Sequence, residues 1–170
     1  MTEIQTRYPT VLFDWGDTVM RDYPERITPM LEWESVEVVD GIAEALAYLH
    51  STGRQIVLAT SAEISNEEQI RGALARGGLD AYFSGIYSFT NTNLPKGEAF
   101  YRHILNDLDL PASDVLMVGD GFEKDVRIPN TLGIFAVWFN LRSDESRTSE
   151  MHVTVHSMPE LRQIFKQLDQ

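Results

Sequence analysis

The stretch Thr10-Val-Leu-Phe-Asp-Trp-Gly-Asp-Thr18 combines a short apolar run with a polar segment that follows it directly. Such a run, without alternation of polar residues, is typical of a strand that is buried on both faces, as the strands of parallel sheets are. In an open parallel sheet, ligands bind outside the carboxyl ends of the strands. Asp14 therefore stands where such a sheet would place a functional carboxylate.

Five further apolar runs follow, and we predict strands at 55–59, 85–88, 115–118, 134–138 and 152–155. Helical patterns at about 41–53, 66–76, 98–108 and 161–168 separate or follow these strands. The first helix would be capped by Asp40, and the second would open on a capping box of Ser65 with Glu68. This alternation predicts an α/β fold, a three-layer Rossmann-like parallel sheet with helices on both faces.

The composition restricts the possible functions. A length of 170 residues suits one domain, which we place at 1–170. The absence of cysteine excludes disulfides and a thiolate nucleophile, and the formal charge of −12 weighs against binding to nucleic acid. No apolar run approaches the ~20 residues of a membrane helix, and residues 1–10 are polar, so we expect a cytoplasmic protein that does not bind a membrane.

Polar residues follow or adjoin several of the predicted strands. Thr60 and Ser61 follow the second strand, Lys96 opens the third helix, and Gly119-Asp120 follows the fourth strand, with Asp125 five residues later. Since the carboxyl ends of parallel strands meet at one edge, these side chains should converge on Asp14. The sequence therefore predicts a site with three carboxylates, hydroxyl groups and one lysine.

The chemistry of this set indicates phosphoryl transfer with Mg²⁺. The carboxylates of Asp14, Asp120 and Asp125 would repel one another without a hard cation, and Mg²⁺ prefers a few carboxylates together with a substrate phosphate. A carboxylate can attack phosphorus to give an aspartyl-phosphate, and Lys96 would neutralise the charge. Thr60 and the backbone N–H of Ser61 would hold phosphate oxygens. Trp15 would line the substrate opening or pack over the loop.

The order of these motifs resembles the haloacid dehalogenase (HAD) superfamily of phosphohydrolases. The family's four motifs are similar to the segments Phe13–Thr18, Ile56–Thr60, Lys96–Phe100 and Gly119–Asp125. The resemblance extends over about residues 10–139 and implies a HAD-like fold.

The resemblance also implies roles for individual residues. Asp14 would be the nucleophile and a metal ligand. The backbone carbonyl of Gly16 and the carboxylate of Asp120 would be further ligands, with Asp125 as a ligand or beside one. Thr60 and Lys96 would bind the phosphoryl group.

Position 16 departs from the family, because the phosphatases usually place there a second aspartate that protonates the leaving group. Here the residue is Gly16, and an aspartate follows at Asp17. Asp17 is either a replacement acid or a brace of the turn, as Asp often is. Without an acid we expect slow turnover of alkyl phosphates, better turnover of aryl or acyl phosphates, and a gain of alkyl phosphatase activity in Gly16→Asp.

The sequence leaves two alternatives, and the departure at position 16 motivates the first of them. The chain could be a catalytically impaired HAD scaffold that acts as a phosphate-binding or regulatory module. Retention of Asp14, Lys96 and both later aspartates counts against this hypothesis. A receiver domain is disfavoured because its acidic pair precedes the phosphorylated strand, whereas Asp120 and Asp125 come after it.

The chain offers little room for a lid over the site. Residues 19–39 are predicted to be a loop or β-flap, a minimal cap rather than a separate cap domain. An open site suits either a small phosphorylated substrate that a second subunit helps to cover, hence a possible homo-oligomer, or a phosphorylated macromolecule.

Overall fold

The computed structural model describes residues 6–170; residues 1–5, which the predicted domain and the polar N-terminal segment include, lie outside the described residues. Six parallel strands form one sheet in the order β3-β2-β1-β4-β5-β6. Their bounds are β1 Thr10–Phe13, β2 Gln55–Ala59, β3 Gly85–Tyr87, β4 Val115–Gly119, β5 Phe135–Phe139 and β6 His152–Val155. Strand β1 lies in the middle of the sheet and pairs with β2 on one side and β4 on the other.

Helices connect the strands. Their bounds are α1 Ile42–Ser51, α2 Glu67–Arg76, α3 Phe89–Thr92, α4 Glu98–Leu108, α5 Ile128–Thr131 and α6 Met158–Leu168, and a π-helical turn at Phe122–Arg127 leads into α5. Short 3₁₀ turns lie at Met30–Glu32, Asp80–Tyr82 and Ala112–Asp114.

The sheet separates two apolar layers because alternate residues of each strand face opposite sides. Val11 and Phe13 pack on the face covered by α1, α2 and α6, and Leu12 packs on the face covered by α4 and α5. This arrangement confirms the predicted three-layer α/β architecture. No helix within residues 6–170 has the length and apolar character needed to cross a bilayer.

Both predicted helix caps are wrong. Helix α1 follows Gly41, which has a left-handed φ of 83°, and no side chain caps it. Helix α2 is capped one residue later than predicted, by Asn66 in a reciprocal capping box with Gln69. Ser65 is instead buried, and its carbonyl accepts a hydrogen bond from the Thr90 hydroxyl.

Some strand ends also differ from the prediction. Ser88 is not the last residue of β3, because its N–H bonds to the Asn91 side chain and it caps α3, a helix that the sequence pattern did not indicate. Strand β4 extends to Gly119, and β5 lies one residue later than predicted.

The segment 19–39 crosses the carboxyl edge of the sheet as an irregular flap. A single antiparallel bridge joins Met20 to Val38, and no strand forms within the segment. Met20, Met30 and Trp33 are buried, and the Trp33 indole donates to the Thr28 carbonyl at 3.1 Å. These contacts anchor the flap to the layer that α1 and α2 cover.

At the opposite edge of the sheet, the fully buried guanidinium of Arg54 uses all five of its donors. It donates to the carbonyls of Arg7 and Tyr8, to the Thr52 hydroxyl, and twice to the carboxylate of Asp169. The shorter bond to Asp169 is 2.5 Å. Arg54 thus joins the chain before β1 to the residue that follows α6.

We expect Arg54→Met to lower the free energy of unfolding by about 2–3 kcal/mol, because it leaves two carbonyls without their donors and the partly buried Asp169 carboxylate with the Tyr48 hydroxyl in place of the guanidinium. The guanidinium holds the pKa of Asp169 below its usual value, so the contribution of the pair is present above about pH 4 and is lost as the pH falls through the lowered pKa. Urea titrations at pH 7 and pH 3 measure both effects.

The control is Arg102→Gln, which removes an exposed ion pair with Glu98 one helical turn away. We expect that change to cost no more than about 0.5 kcal/mol. If the two variants lose equal free energies of unfolding, the Arg54 network stabilises the protein no more than an exposed ion pair does.

Candidate active site

Three strand ends meet at the carboxyl edge of the sheet. Asp14 follows β1, and its N–H donates to the Val118 carbonyl at 2.9 Å, which extends the pairing with β4. Thr60 follows β2 and is fixed in the same way by the carbonyl of Tyr87. Asp120 follows β4, and its carbonyl accepts a hydrogen bond of 2.9 Å from the Trp138 indole. The ends of β1, β2 and β4 thus place one polar residue each on the same edge.

Lys96 lies beneath these residues and is almost completely buried, with 2% of its side chain exposed. Its Nζ lies 3.0 Å from Asp14 Oδ1 and 2.5 Å from Asp125 Oδ1. The structure therefore brings together the lysine and two of the carboxylates predicted from the sequence, although Lys96 and Asp14 are 82 residues apart.

Asp125 occupies space that only glycine leaves free. A Cβ atom at Gly119 would stand 2.3 Å from the carboxyl group of Asp125, so any other residue at position 119 would displace it. The Gly121 N–H donates to Asp125 Oδ2 at 2.9 Å. The buried Tyr101 hydroxyl donates to the Lys124 carbonyl and holds the same turn from below.

Burial governs the electrostatics of the cluster. Desolvation, with a smaller contribution from Asp120, raises the pKa of Asp14 to about 6 against the opposing effect of Lys96. Desolvation and the charge of Asp14 raise the pKa of Asp125 to about 6, again against Lys96. The pKa of Asp120 is also raised, chiefly by burial. Burial disfavours the charge of Lys96, but Asp125 and Asp14 raise its pKa above the usual range.

The donor set fits a hard divalent cation. Oxygen atoms of Asp14, Asp120 and Asp125 lie within 4.8 Å of one another. One lysine does not balance the charge of three carboxylates, and burial disfavours that charge, since it raises the pKa of each of them. Within residues 6–170, no hydrogen-bond donor reaches the Gly16 carbonyl, so that oxygen also remains available. An all-oxygen set of this kind is typical of Mg²⁺ sites.

A cleft of about 420 Å³ opens above the carboxylates. Asp14, Thr60 and Ser61 line its floor and one side, and the flap contributes Met30 and Trp33 among others. Thr60 is buried, and its hydroxyl accepts the Ala62 N–H at 3.1 Å, which shapes the loop after β2. Trp15 contributes to the wall and also packs in the core, and its buried indole N–H has no partner among the described residues.

Asp17 braces the turn that leads into the flap. It adopts a left-handed φ of 59°, and its Oδ1 accepts the Asp22 N–H at 3.1 Å. Its Oδ2 lies 3.4 Å from the Arg142 guanidinium. These contacts correspond to the bracing alternative that the sequence raised, although Asp17 also lines the cleft.

Arg142 and Asp22 also line the cleft, although the sequence pattern did not single them out. Arg142 reaches over the mouth of the cleft and lies 3.5 Å from Asp120, with its backbone held by the Asn140 side chain. Asp22 stands on the flap against Gly16. Residues 140–142 follow β5, so the rule that functional side chains follow the strands of a parallel sheet also points to them. No pattern in the sequence pointed to Asp22, because its position depends on how the flap folds back.

Comparisons with solved structures support this fold. An uncharacterized protein from Listeria monocytogenes serotype 4b superimposes with a TM-score of 0.80 at 21% identity, over 94% of this chain and 97% of that chain. A HAD phosphatase from Thermococcus onnurineus gives 0.71 at 19% identity, over 91% and 96%. The putative HAD-hydrolase YfnB from Bacillus subtilis, bound to magnesium, gives 0.72 at 14% identity, over 94% and 99%.

No curated protein matches the sequence significantly. The family model of the haloacid dehalogenase-like hydrolases matches residues 14–130, from Asp14 to α5, and so includes every carboxylate of the cluster. The chain therefore belongs to the haloacid dehalogenase-like hydrolases.

Proposed function

We propose that this protein is a Mg²⁺-dependent phosphohydrolase that works through an aspartyl-phosphate on Asp14. The observation that carries the proposal is the buried Lys96, whose ammonium contacts Asp14 and Asp125 at once. A purely structural domain gains little from such a cluster, because burying these charges costs free energy that apolar packing would not. Strongly shifted pKa values in a cleft are typical of functional sites.

Mg²⁺ would be held by Asp14, Asp120, Asp125 and the Gly16 carbonyl. When bound, the ion supplies positive charge to the phosphoryl oxygens and to the three carboxylates. The magnesium-bound structure of the Bacillus subtilis neighbour and the phosphatase description of the Thermococcus neighbour agree with this proposal.

Lys96 keeps the Asp14 carboxylate ionised and fixes its orientation for attack on phosphorus. Its positive charge also offsets the negative charge that develops on the phosphoryl oxygens in the transition state. The Thr60 hydroxyl and the Ser61 N–H, on the other side of the cleft, would hold two of those oxygens. Asp14 attacks, the bond to the leaving oxygen breaks, and water later cleaves the acyl phosphate.

The cleft limits how the substrate enters. The flap at 19–39 forms one wall, and we propose that it serves as a minimal cap. A phosphoryl group on a small molecule or on a macromolecule could reach Asp14 from the open side.

We expect steady, Mg²⁺-dependent release of phosphate from an aryl phosphate such as p-nitrophenyl phosphate, and its fall to background in Asp14→Asn, because the amide cannot act as the nucleophile. Phosphate release with Mg²⁺ and with chelator measures this. Asp114→Asn, at the opposite end of β4, is the control and should retain activity. If the wild-type protein binds Mg²⁺ and phosphate without turnover, it is instead a phosphate-binding scaffold.

We also expect Mg²⁺ to stabilise the protein, by about 2.7 kcal/mol at a concentration 100 times its dissociation constant. Asp120→Asn should lose most of this gain, yet be no less stable than wild type in chelator, because burial disfavours the charge of Asp120. Thermal unfolding with and without Mg²⁺ measures both effects.

The matched control is Glu123→Gln, which lies on the same turn but pairs with Arg127 in solvent. It should keep the full Mg²⁺ response. An equal response in Asp120→Asn and wild type would remove Asp120 from the metal site.

A further inference from the structure

The side of Gly16 that faces the cleft is occupied by a carboxylate from elsewhere in the chain. A Cβ atom built on Gly16 would stand 3.2 Å from both Cβ and Oδ2 of Asp22, and 3.5 Å from its Cγ. A side chain at position 16 would therefore project into the space that the Asp22 carboxyl group fills. Both Gly16 and Asp22 line the same cleft as Asp14.

The flap holds Asp22 in this position. The Asp22 N–H donates to Asp17 Oδ1 at 3.1 Å, and the neighbouring Arg21 N–H donates to the Glu37 carbonyl at 2.8 Å. The side chains on either side of Asp22 turn to Glu37 instead: the Tyr23 hydroxyl bonds to its carboxylate at 2.9 Å and Arg21 lies 3.9 Å from it. Asp22 alone of these three faces Gly16.

Other carboxylates of the cleft are less suited to serve the reacting group. Both oxygens of Asp17 are engaged, with the Asp22 N–H and with Arg142. Asp120 and Asp125 belong to the cluster around Lys96. Glu63 is exposed on the loop after β2, across the cleft from Gly16. Among these carboxyl groups, Asp22 is therefore the one that lies against position 16.

We propose that Asp22 is the general acid and base of the reaction, supplied by the flap in place of a side chain at position 16. This inference rests on the proposed phosphohydrolase function. It identifies Asp22 as a catalytic residue that contacts the leaving oxygen of the substrate, and it assigns unactivated alkyl phosphates to the substrates of this site.

Asp22 gives up a proton in the first half of the proposed reaction and recovers one in the second. An Asp14 oxygen attacks phosphorus, the bond from phosphorus to the ester oxygen breaks with its electron pair on that oxygen, and the Asp22 carboxyl proton passes to it to give the alcohol. Asp22, now a carboxylate, takes a proton from water as the water oxygen attacks phosphorus. The bond from phosphorus to Asp14 breaks, and phosphate leaves with Asp14 as a free carboxylate and Asp22 protonated again.

Rapid-mixing experiments test this role. They compare wild type, Asp22→Asn and the control Glu34→Gln, each with p-nitrophenyl phosphate and with an alkyl phosphate. Glu34 is an exposed acid of the same flap that does not line the cleft. In Asp22→Asn we expect phosphoenzyme formation from the alkyl phosphate to slow by ~10²–10⁴-fold, since an alkoxide needs the proton. Formation from the aryl phosphate should change little, and its slow hydrolysis should give a burst of nitrophenol of about one per site.

A second variant moves the carboxyl group to the other position. Gly16→Asp/Asp22→Ala removes the Oδ2 and Cγ contacts at Gly16 and should recover much of the alkyl phosphatase activity that Asp22→Ala loses. Gly16→Asp alone should gain nothing, because the new side chain meets Asp22. A gain of alkyl activity in that single variant would mean that the wild-type site lacks an acid.

The outcomes separate this inference from the proposed function. If wild type turns over aryl phosphate through Asp14, but Asp22→Asn slows both substrates alike and shows no burst, Asp22 only shapes the flap and the inference is wrong. If no phosphate ester is hydrolysed by wild type at all, the phosphohydrolase function itself fails and the role of Asp22 fails with it.

Discussion

The contact of one buried ammonium with two buried carboxylates governs the arrangement of the whole site. Lys96 lies 3.0 Å from Asp14 and 2.5 Å from Asp125, and all three are shielded from water. Ions removed from water are stable only when the geometry and the remaining hydrogen bonds compensate for lost hydration. The backbone around the cluster is therefore tightly constrained: Gly119 makes room for Asp125, and Gly121 donates to it. A third carboxylate, Asp120, leaves the group with excess negative charge that a cation would balance.

The parallel sheet is what allows residues distant in sequence to meet these constraints. Since β1 pairs with both β2 and β4, residues that follow these strands stand side by side at one edge. The rigid strands fix Asp14, Thr60 and Asp120, whereas the flap and the loop after β5 bring Asp22 and Arg142 over them. The fixed part of the site carries the charges expected to bind metal and phosphate. The looped part lines the open side of the cleft, where the proposed mechanism places the leaving group, so we expect changes in the flap to alter substrate preference with little effect on the cluster.

The sequence predicted the parts of this structure that depend on burial. Apolar runs located all six strands to within one or two residues. The ends of these strands then predicted that one edge of the sheet would carry Asp14, Thr60, Lys96, Asp120 and Asp125. The predictions were wrong at helix caps and at one strand end, where short-range polar contacts determine the boundary. Ser65 and Asn66 are both good capping residues, but the helix is capped by Asn66, and Ser65 is buried with its carbonyl bonded to Thr90. Ser88 continues the third apolar run in sequence, but in the structure its capping box with Asn91 makes it the cap of α3.

The proposed role of Asp22 explains how a motif that lacks a carboxylate at position 16 can be completed by a residue of the flap. A general acid must be positioned relative to the leaving oxygen, and no chemical requirement fixes which part of the backbone supplies it. At Gly16 the side chain is absent, but six residues later the chain has turned back so that the Asp22 carboxyl fills the space. That return depends on the left-handed turn at Asp17 and on its bond to the Asp22 N–H. In the proposed mechanism Asp17 holds the acid in place through its bond to the Asp22 N–H, which gives the departure at position 16 and the aspartate beside it a single physical explanation.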